Sequence, residues 1–312
     1  MSKVKVSDLR YAAVGVPEYD KQVEFYEKQW GLEKVASDGD VTYFAAAGSP
    51  EQYVLRIRKS SDRRVDLVGF GVENAAGVDQ LAGDLASEGV QIVAQPGQLQ
   101  TPGGGYGFRF FDPDGRVVEI SADVERRKYH VLEYRESVPA KLSHIVLNSP
   151  NPQLCMEWYE DKLGFKLSGW LGDFFGFLRC WPDFHNLAFV KNADANLHHI
   201  SFEMRGYDEY LRGTGKLVQA GVPMAWGVGK HTPADSSFSY FIDPNGYTTE
   251  YTAPQEKIVD SQAYKPPVWG PGGLPNAGDV WGTAGPRNMP EDLAHTGRTL
   301  PKDPGLWVAP PV

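Results

Sequence analysis

The sequence predicts an α+β chain with mostly antiparallel sheet, in which four strand–helix–strands modules form two tandem domains. Three observations predict it. A pattern of helix and hairpin recurs at a nearly constant offset, each half is itself doubled, and groups of short strands alternate with the helices. The first match pairs DLRYAAVGVPEYDKQVEFYEKQWGLE, from Asp8, with LSHIVLNSPNPQLCMEWYEDKLGFK, from Leu142. Val23, Tyr26 and Trp30 fall at helical spacing, and Met156, Tyr159 and Leu163 stand 133 positions later (156 − 23). They read as the apolar faces of two equivalent helices, stopped by Gly31 and Gly164.

The halves also end alike. FFDPDGRVVEIS from Phe110 matches FIDPNGYTTEYT from Phe241, and Asp112 and Asp243 are 131 positions apart (243 − 112). Asp-Pro-Asx-Gly is a turn signal between two strands. Residues 74–89 form a further helix with Val78, Leu81 and Leu85 inward, and its counterpart runs from about Tyr207 to Gly221. The modules are then 1–60, 61–135, 140–195 and 196–256, grouped as domains 1–135 and 140–256. Residues 257–312 are dense in Pro and Gly and lose all periodicity. Trp269, Trp281, Leu300 and Trp307 are too apolar for a solvated tail, so an irregular arm lying on the protein or on a neighbouring subunit is expected.

Composition narrows the function. The 312 residues carry a formal charge of -9 with a pI near 5.3. Nothing in such an acidic chain attracts nucleic acid or an anionic membrane. Two cysteines, Cys155 and Cys180, imply no disulfide framework and suit a reducing cytoplasm. Both read as packing rather than reactive groups. No stretch approaches the ~18 apolar residues of a membrane span, and the N-terminus lacks a signal peptide's apolar core.

The histidines carry the chemistry. Five of seven, His144, His185, His198, His199 and His231, lie in the third and fourth modules, apart from His130 and His295. His144 sits on the apolar strand LSHIVLNS, and His199 on LHHISFEM, where alternation turns His199, Ser201 and Glu203 one way and His198 the other. Glu250 follows the Asp243 turn on a third strand. Each alone has an ordinary reading, as a core histidine or a solvent-facing glutamate. Together, two neutral imidazoles and one carboxylate have the composition of the facial triad that binds non-haem Fe(II) and leaves three positions open.

The repeat supplies an internal comparison. Subtracting the offsets places Tyr11 (144 − 133), Leu67 (199 − 132) and Glu119 (250 − 131) at the equivalent positions, so the first half lacks both imidazoles and should bind no metal. His185, His231 and Tyr240 likewise map to Gln52, Gln100 and Arg109. All three are groups for proton transfer or hydrogen bonding, confined to one half.

These residues resemble the type I extradiol dioxygenases of the vicinal oxygen chelate superfamily, as in catechol 2,3-dioxygenase. LHHISFEM and GKHTPADSSFSYFIDPNGYTTEY look like that family's signature, with His231 nineteen and Tyr240 ten residues before Glu250. The resemblance covers roughly 5–256; the long tail is the main departure. It implies four βαβββ modules in two open barrels, with iron in the second. It assigns His144, His199 and Glu250 as ligands, His185 as the catalytic histidine, and His231 and Tyr240 as groups contacting substrate or oxygen. His198 is then packing or a support behind the ligands. The implied reaction opens a catechol beside one hydroxyl with dioxygen, giving a 2-hydroxymuconic-semialdehyde-type product. Mn(II) suits the same ligands as Fe(II). A catecholic small molecule and dioxygen are the expected partners, with self-association into a homo-oligomer. Two other readings stand beside this one. A metal-dependent isomerase, epimerase or lyase of the superfamily would draw ligands from paired modules. A drug-sequestering binding protein would need no triad. The ring's substituents are open, and Phe174, Phe175, Trp181 and Phe184 are as easily core as pocket.

Overall fold

The computed structural model describes residues 4–270 and 278–288. The first half runs β1 (Asp8–Val16), α1 (Tyr19–Glu24), β2 (Glu33–Asp38), β3 (Val41–Ala45), β4 (Leu55–Lys59), β5 (Arg64–Gly71), α2 (Ala75–Ser87), β6 (Ile92–Gln98), β7 (Tyr106–Phe111) and β8 (Val117–Ala122). The second runs β9 (Pro139–Ser149), α3 (Pro152–Leu163), β10 (Lys166–Leu171), β11 (Phe175–Arg179), β12 (Leu187–Lys191), β13 (Asn196–Met204), α4 (Tyr207–Gln219), β14 (Met224–Lys230), β15 (Ser237–Ile242) and β16 (Thr248–Thr252). A short β17 (Val268–Trp269) follows. The first sheet is ordered β2-β3-β4-β1-β5-β8-β7-β6, and the second repeats that order strand for strand, with β17 added beside β10. Within each sheet the first strand pairs parallel with the fourth and the fifth with the eighth, and the remaining repeated pairs are antiparallel. The class is the α+β one expected.

Local chemistry explains the helices. Asn151 caps α3 by accepting from Leu154 N at 3.1 Å, Pro152 sits in its first turn, and Gly164 at φ +74° ends it. Its buried face is Cys155, Met156, Tyr159 and Leu163, as the spacing predicts. In the first half the helix deviates. After α1 the chain widens through Phe25–Gln29, and Trp30 N donates to Phe25 O five residues back at 2.8 Å. One extra residue in that turn rotates the face. Gln22, Phe25, Tyr26 and Trp30 point inward, and Val23 is only half-buried.

The helices and outer sheet faces form one core shared by both halves. Trp30 packs on Tyr251 with ring centres 4.0 Å apart, and Phe70 packs on Phe165 at 5.3 Å. The inner sheet faces line two separate interiors, around Tyr11, Tyr43, Tyr53 and Leu67 in one and Val146, Phe177 and Ala188 in the other.

The two turn aspartates sit in this shared core but differ in charge balance. Asp112 pairs with the buried guanidinium of Arg116 at 2.8 Å and accepts from Tyr159 of the other half. At the Arg116 position the second half has Tyr247 (247 − 131). Asp243 therefore relies on hydrogen bonds from Gln22, Tyr26 and the amides of Asn245 and Tyr247. Burial pushes its carboxyl up to about 7 against those bonds. The folded state thus holds a proton that the unfolded chain releases near pH 4, so stability falls as pH rises towards 7. The loss should be about 3 kcal/mol between pH 5 and pH 8. Asp243→Asn should flatten that slope in urea unfolding, whatever it does to stability overall. An undiminished difference between pH 5 and pH 8 in the variant would contradict the assignment.

Candidate metal centre

Strand register builds the centre. Across β9, β13, β16 and β15, the residues His144, Ser201, Glu250 and Tyr240 form one transverse row. His199 lies two positions from Ser201 on the same side of β13. His144, His199 and Glu250 are all buried, and their donor atoms meet. His144 Nε2 is 3.2 Å from His199 Nε2 and 3.0 Å from Glu250 Oε2, and His199 Nε2 is 3.4 Å from the same oxygen.

These separations suit one divalent ion. Two ligand atoms about 2.1 Å from an ion, at right angles, lie about 3.0 Å apart. Glu250 Oε2 is also buried with no hydrogen-bond partner. Burial pushes the Glu250 carboxyl up, but the His144 and His199 imidazoles beside it outweigh that and hold it well below the usual range. Burial pushes His199 down, favouring a neutral imidazole with a lone pair to offer.

The first half shows what such a carboxylate needs. Its equivalent row is Tyr11, Gly69, Glu119 and Arg109. Arg109 pairs with Glu119 at 2.9 Å, both side chains buried. The Tyr11 ring lies over Gly69, where an added Cβ would stand 2.2 Å from its nearest carbon. A phenol ring thus stands at the His144 position, and a guanidinium at the Tyr240 position neutralises the acid. In the second half Tyr240 replaces the arginine, so a bound cation is the natural partner of Glu250. Arg109→Leu should destabilise the protein by about 3–5 kcal/mol, because it leaves a buried charge unpaired. The double variant with Glu119→Leu should recover most of that in urea unfolding.

His185 lies in the turn before β12, its ring 4.0 Å from that of His144. Tyr53 and Tyr11 make the same contact at 4.7 Å in the first half. The pairing of Leu187 with Ile145, and of Leu55 with Ala12, sets the offset at 132 here. The equivalent of His185 is therefore Tyr53, not Gln52. For the same reason His231 corresponds to Leu99, not Gln100: each donates its amide across the equivalent hairpin end. Burial pushes His185 well below its ordinary value, and His144's charge adds to that. Its Nδ1 is buried and unpartnered.

His231 is not a solvated loop residue. Its Nδ1 is 2.6 Å from Gly278 O and its Nε2 3.0 Å from Tyr240 Oη, and burial pushes it down to about 4. Since a carbonyl only accepts, Nδ1 carries the hydrogen and Nε2 accepts from the Tyr240 hydroxyl. His198 departs from expectation. Leu197 and His199 face the consecutive residues Leu147 and Val146, so His198 is the extra residue of a bulge. It does not turn away: it lines the cavity, with Nδ1 2.6 Å from His199 Nδ1.

The centre opens on a cavity of about 180 Å³ whose apolar wall includes Val146, Phe174, Phe175, Phe177 and Trp226. Phe184 packs in the core beside it, and Trp181 is exposed. The arm completes the wall. Gly278 and Arg287 line the cavity, and the Arg287 guanidinium lies 5.5 Å over the Trp226 ring. β17 pairs with β10, so the described part of the arm lies on its own chain. Leu300, Trp307 and His295 lie outside the described residues. Sequence reasoning missed Gly278, Arg287, Trp226, Ser143 and Gln255. Only the aromatic residues retained in a Pro/Gly-rich tail signalled that the arm packs.

Comparison with known proteins agrees with this architecture. A family model for the Glyoxalase/Bleomycin resistance protein/Dioxygenase superfamily matches residues 9–120 and 141–251, one match per sheet. "Metapyrocatechase 2" from Cupriavidus necator is 29% identical over 61% of this chain and 63% of its own length, less than two thirds of that relative. The "manganese-dependent 2,3-dihydroxybiphenyl 1,2-dioxygenase" of Geobacillus genomosp. 3 is 26% identical over 85% of this chain and 90% of its own. A solved structure described as a Mn(II)-bound glyoxalase from Novosphingobium aromaticivorans superposes with a TM-score of 0.88, at 39% identity, covering 92% of this chain and 95% of that one. With two matching repeats that together span most of the described fold, the chain belongs to the Glyoxalase/Bleomycin resistance protein/Dioxygenase superfamily.

Proposed function

We propose that this protein is an extradiol dioxygenase that holds Fe(II) or Mn(II) on His144, His199 and Glu250 and cleaves a catechol-type ring with dioxygen. The observation that carries the reading is the convergence of two imidazole nitrogens and one carboxylate oxygen on the wall of an aromatic-lined cavity, beside His185. Relatives named as metapyrocatechase and dihydroxybiphenyl dioxygenase support it. The relative with "manganese-dependent" in its name and the Mn(II)-bound structure support either ion. When bound, the ion supplies a Lewis acid for the diol oxygens and a redox partner for dioxygen.

The protein's own groups do the rest. The aromatic wall takes the ring out of water. His185, which lines the cavity and is kept neutral by burial, takes a proton from the diol and returns it later. Tyr240, whose hydrogen is committed to His231, presents an oxygen that accepts from a diol hydroxyl. The balance closes without a reductant: both atoms of dioxygen enter the diol to give a ring-opened hydroxy-acid aldehyde. We read residues 140–256 as the catalytic domain, 1–135 as its metal-free partner and 257–312 as an arm, of which Gly278 and Arg287 border the cavity. The unpaired thiols Cys155 and Cys180 fit a reducing cytoplasm. Among the described residues no helix is long and apolar enough to cross a membrane.

The test is anaerobic loading with Fe(II) or Mn(II), then air and a panel of mono- and bicyclic catechols, followed by oxygen uptake and yellow colour. Uptake matched by product supports the reading. No uptake with either ion across the panel overturns it. The name glyoxalase on the 39%-identical structure motivates a parallel assay with a thiol adduct of an α-ketoaldehyde. Turnover is not expected, since Tyr11, Leu67 and the Arg109–Glu119 pair leave the first half no ligands to contribute.

A further inference from the structure

We infer that Gln255, just past β16, is a positioning residue that holds Ser143 against His144 Nδ1 and fixes the place of His185; this deepens the proposed function and rests on it. The side chain is 4% exposed and lies beneath the centre. Its Oε1 accepts from His185 N at 3.1 Å, and its Nε2 donates to His185 O at 3.1 Å. One amide therefore clips both backbone polar groups of His185. That clip matters because the His185 imidazole has no hydrogen bond at Nδ1 to orient it. Its ring packs against His144, Phe177 and Phe184.

Counting hydrogens completes the case. Nε2 of Gln255 also lies 2.8 Å from Ser143 Oγ and 3.3 Å from His144 Nδ1. An amide nitrogen has two hydrogens. One goes to the His185 carbonyl, and the shorter of the remaining contacts takes the other, to Ser143 Oγ. Where His144 Nε2 binds the ion, Nδ1 carries the hydrogen, and Ser143 Oγ stands 3.0 Å away to accept it. Hydrogen on Nδ1 leaves the lone pair on Nε2, the nitrogen that faces His199 and Glu250. Ser143, held in place by Gln255, thus supports the tautomer that can bind an ion, and the same amide sets the spacing between His144 and His185. Outer partners of metal-bound histidines typically change metal affinity or activity by about 10–100-fold.

The test compares wild type with Gln255→Met, Ser143→Ala and Ser143→Thr. Free Mn(II) is measured by electron paramagnetic resonance during titration, and turnover is measured on catechol after Fe(II) loading. Gln255→Met and Ser143→Ala should weaken Mn(II) binding by 10-fold or more. Ser143→Thr, which keeps the hydroxyl, should restore it. Gln255→Met should also lower kcat while KM for catechol changes less than threefold. Thermal unfolding checks folding, and if Gln255→Met does not fold, the serine pair decides. Mn(II) affinity within twofold of wild type in Ser143→Ala, or in a folded Gln255→Met, overturns the inference. Wild type that fails to bind Mn(II) or cleave any catechol instead overturns the proposed function.

Discussion

Glu250→Gln should purify folded but hold less than about a tenth of the wild-type metal, and should show no ring cleavage. The carboxylate is the only anionic donor of the three, and four-ligand structural Zn²⁺ sites are worth about 10–16 kcal/mol in total, a few kcal/mol per ligand. Loss of the one charged ligand should therefore weaken binding on the order of 10³-fold. The amide keeps the shape of the side chain, so packing is preserved. The metal-free variant should be at least as stable as metal-free wild type, because a buried charge has been removed. Inductively coupled plasma analysis and urea unfolding read the two effects separately. Stoichiometric metal in Glu250→Gln would show that the ligand set is wrong. The contrast with Arg109→Leu is informative: disturbing the equivalent buried carboxylate costs stability in the first half and metal in the second.

His185→Ala should keep full metal content and lose about 10²–10⁴-fold in kcat, the range for one positioned acid–base group. Its imidazole packs tilted against His144 but does not join the three converging donors. Metal binding and proton transfer should therefore separate cleanly at this position. His185→Asn, which fills part of the space, should lose about as much, because an amide does not titrate. Turnover within threefold of wild type in either variant removes His185 from the chemistry.

Much of this was legible in the chain. Repeats at offsets of 131 to 133 announced two copies of one fold, and the strand order bears that out. His144, His199 and Glu250 could be picked because strand periodicity fixes which way a side chain points. The failures have local causes. The extra residue in the turn after α1 moved its buried face from Val23 to Gln22 and Phe25. The bulge at His198 broke alternation at the residue where the ligand strand mattered most. A one-residue difference in loop length hid Tyr53 and Leu99 behind Gln52 and Gln100. The arm and Gln255 were out of reach, because they meet the centre through long-range contacts that no local period records.

Sealing the first barrel with an arginine has a consequence for supply. That half neutralises its own buried acid and asks nothing of the cell's iron or manganese. In a cell short of either metal that half would still balance its own charge, and the shortage would fall on the buried Glu250 carboxylate of the second.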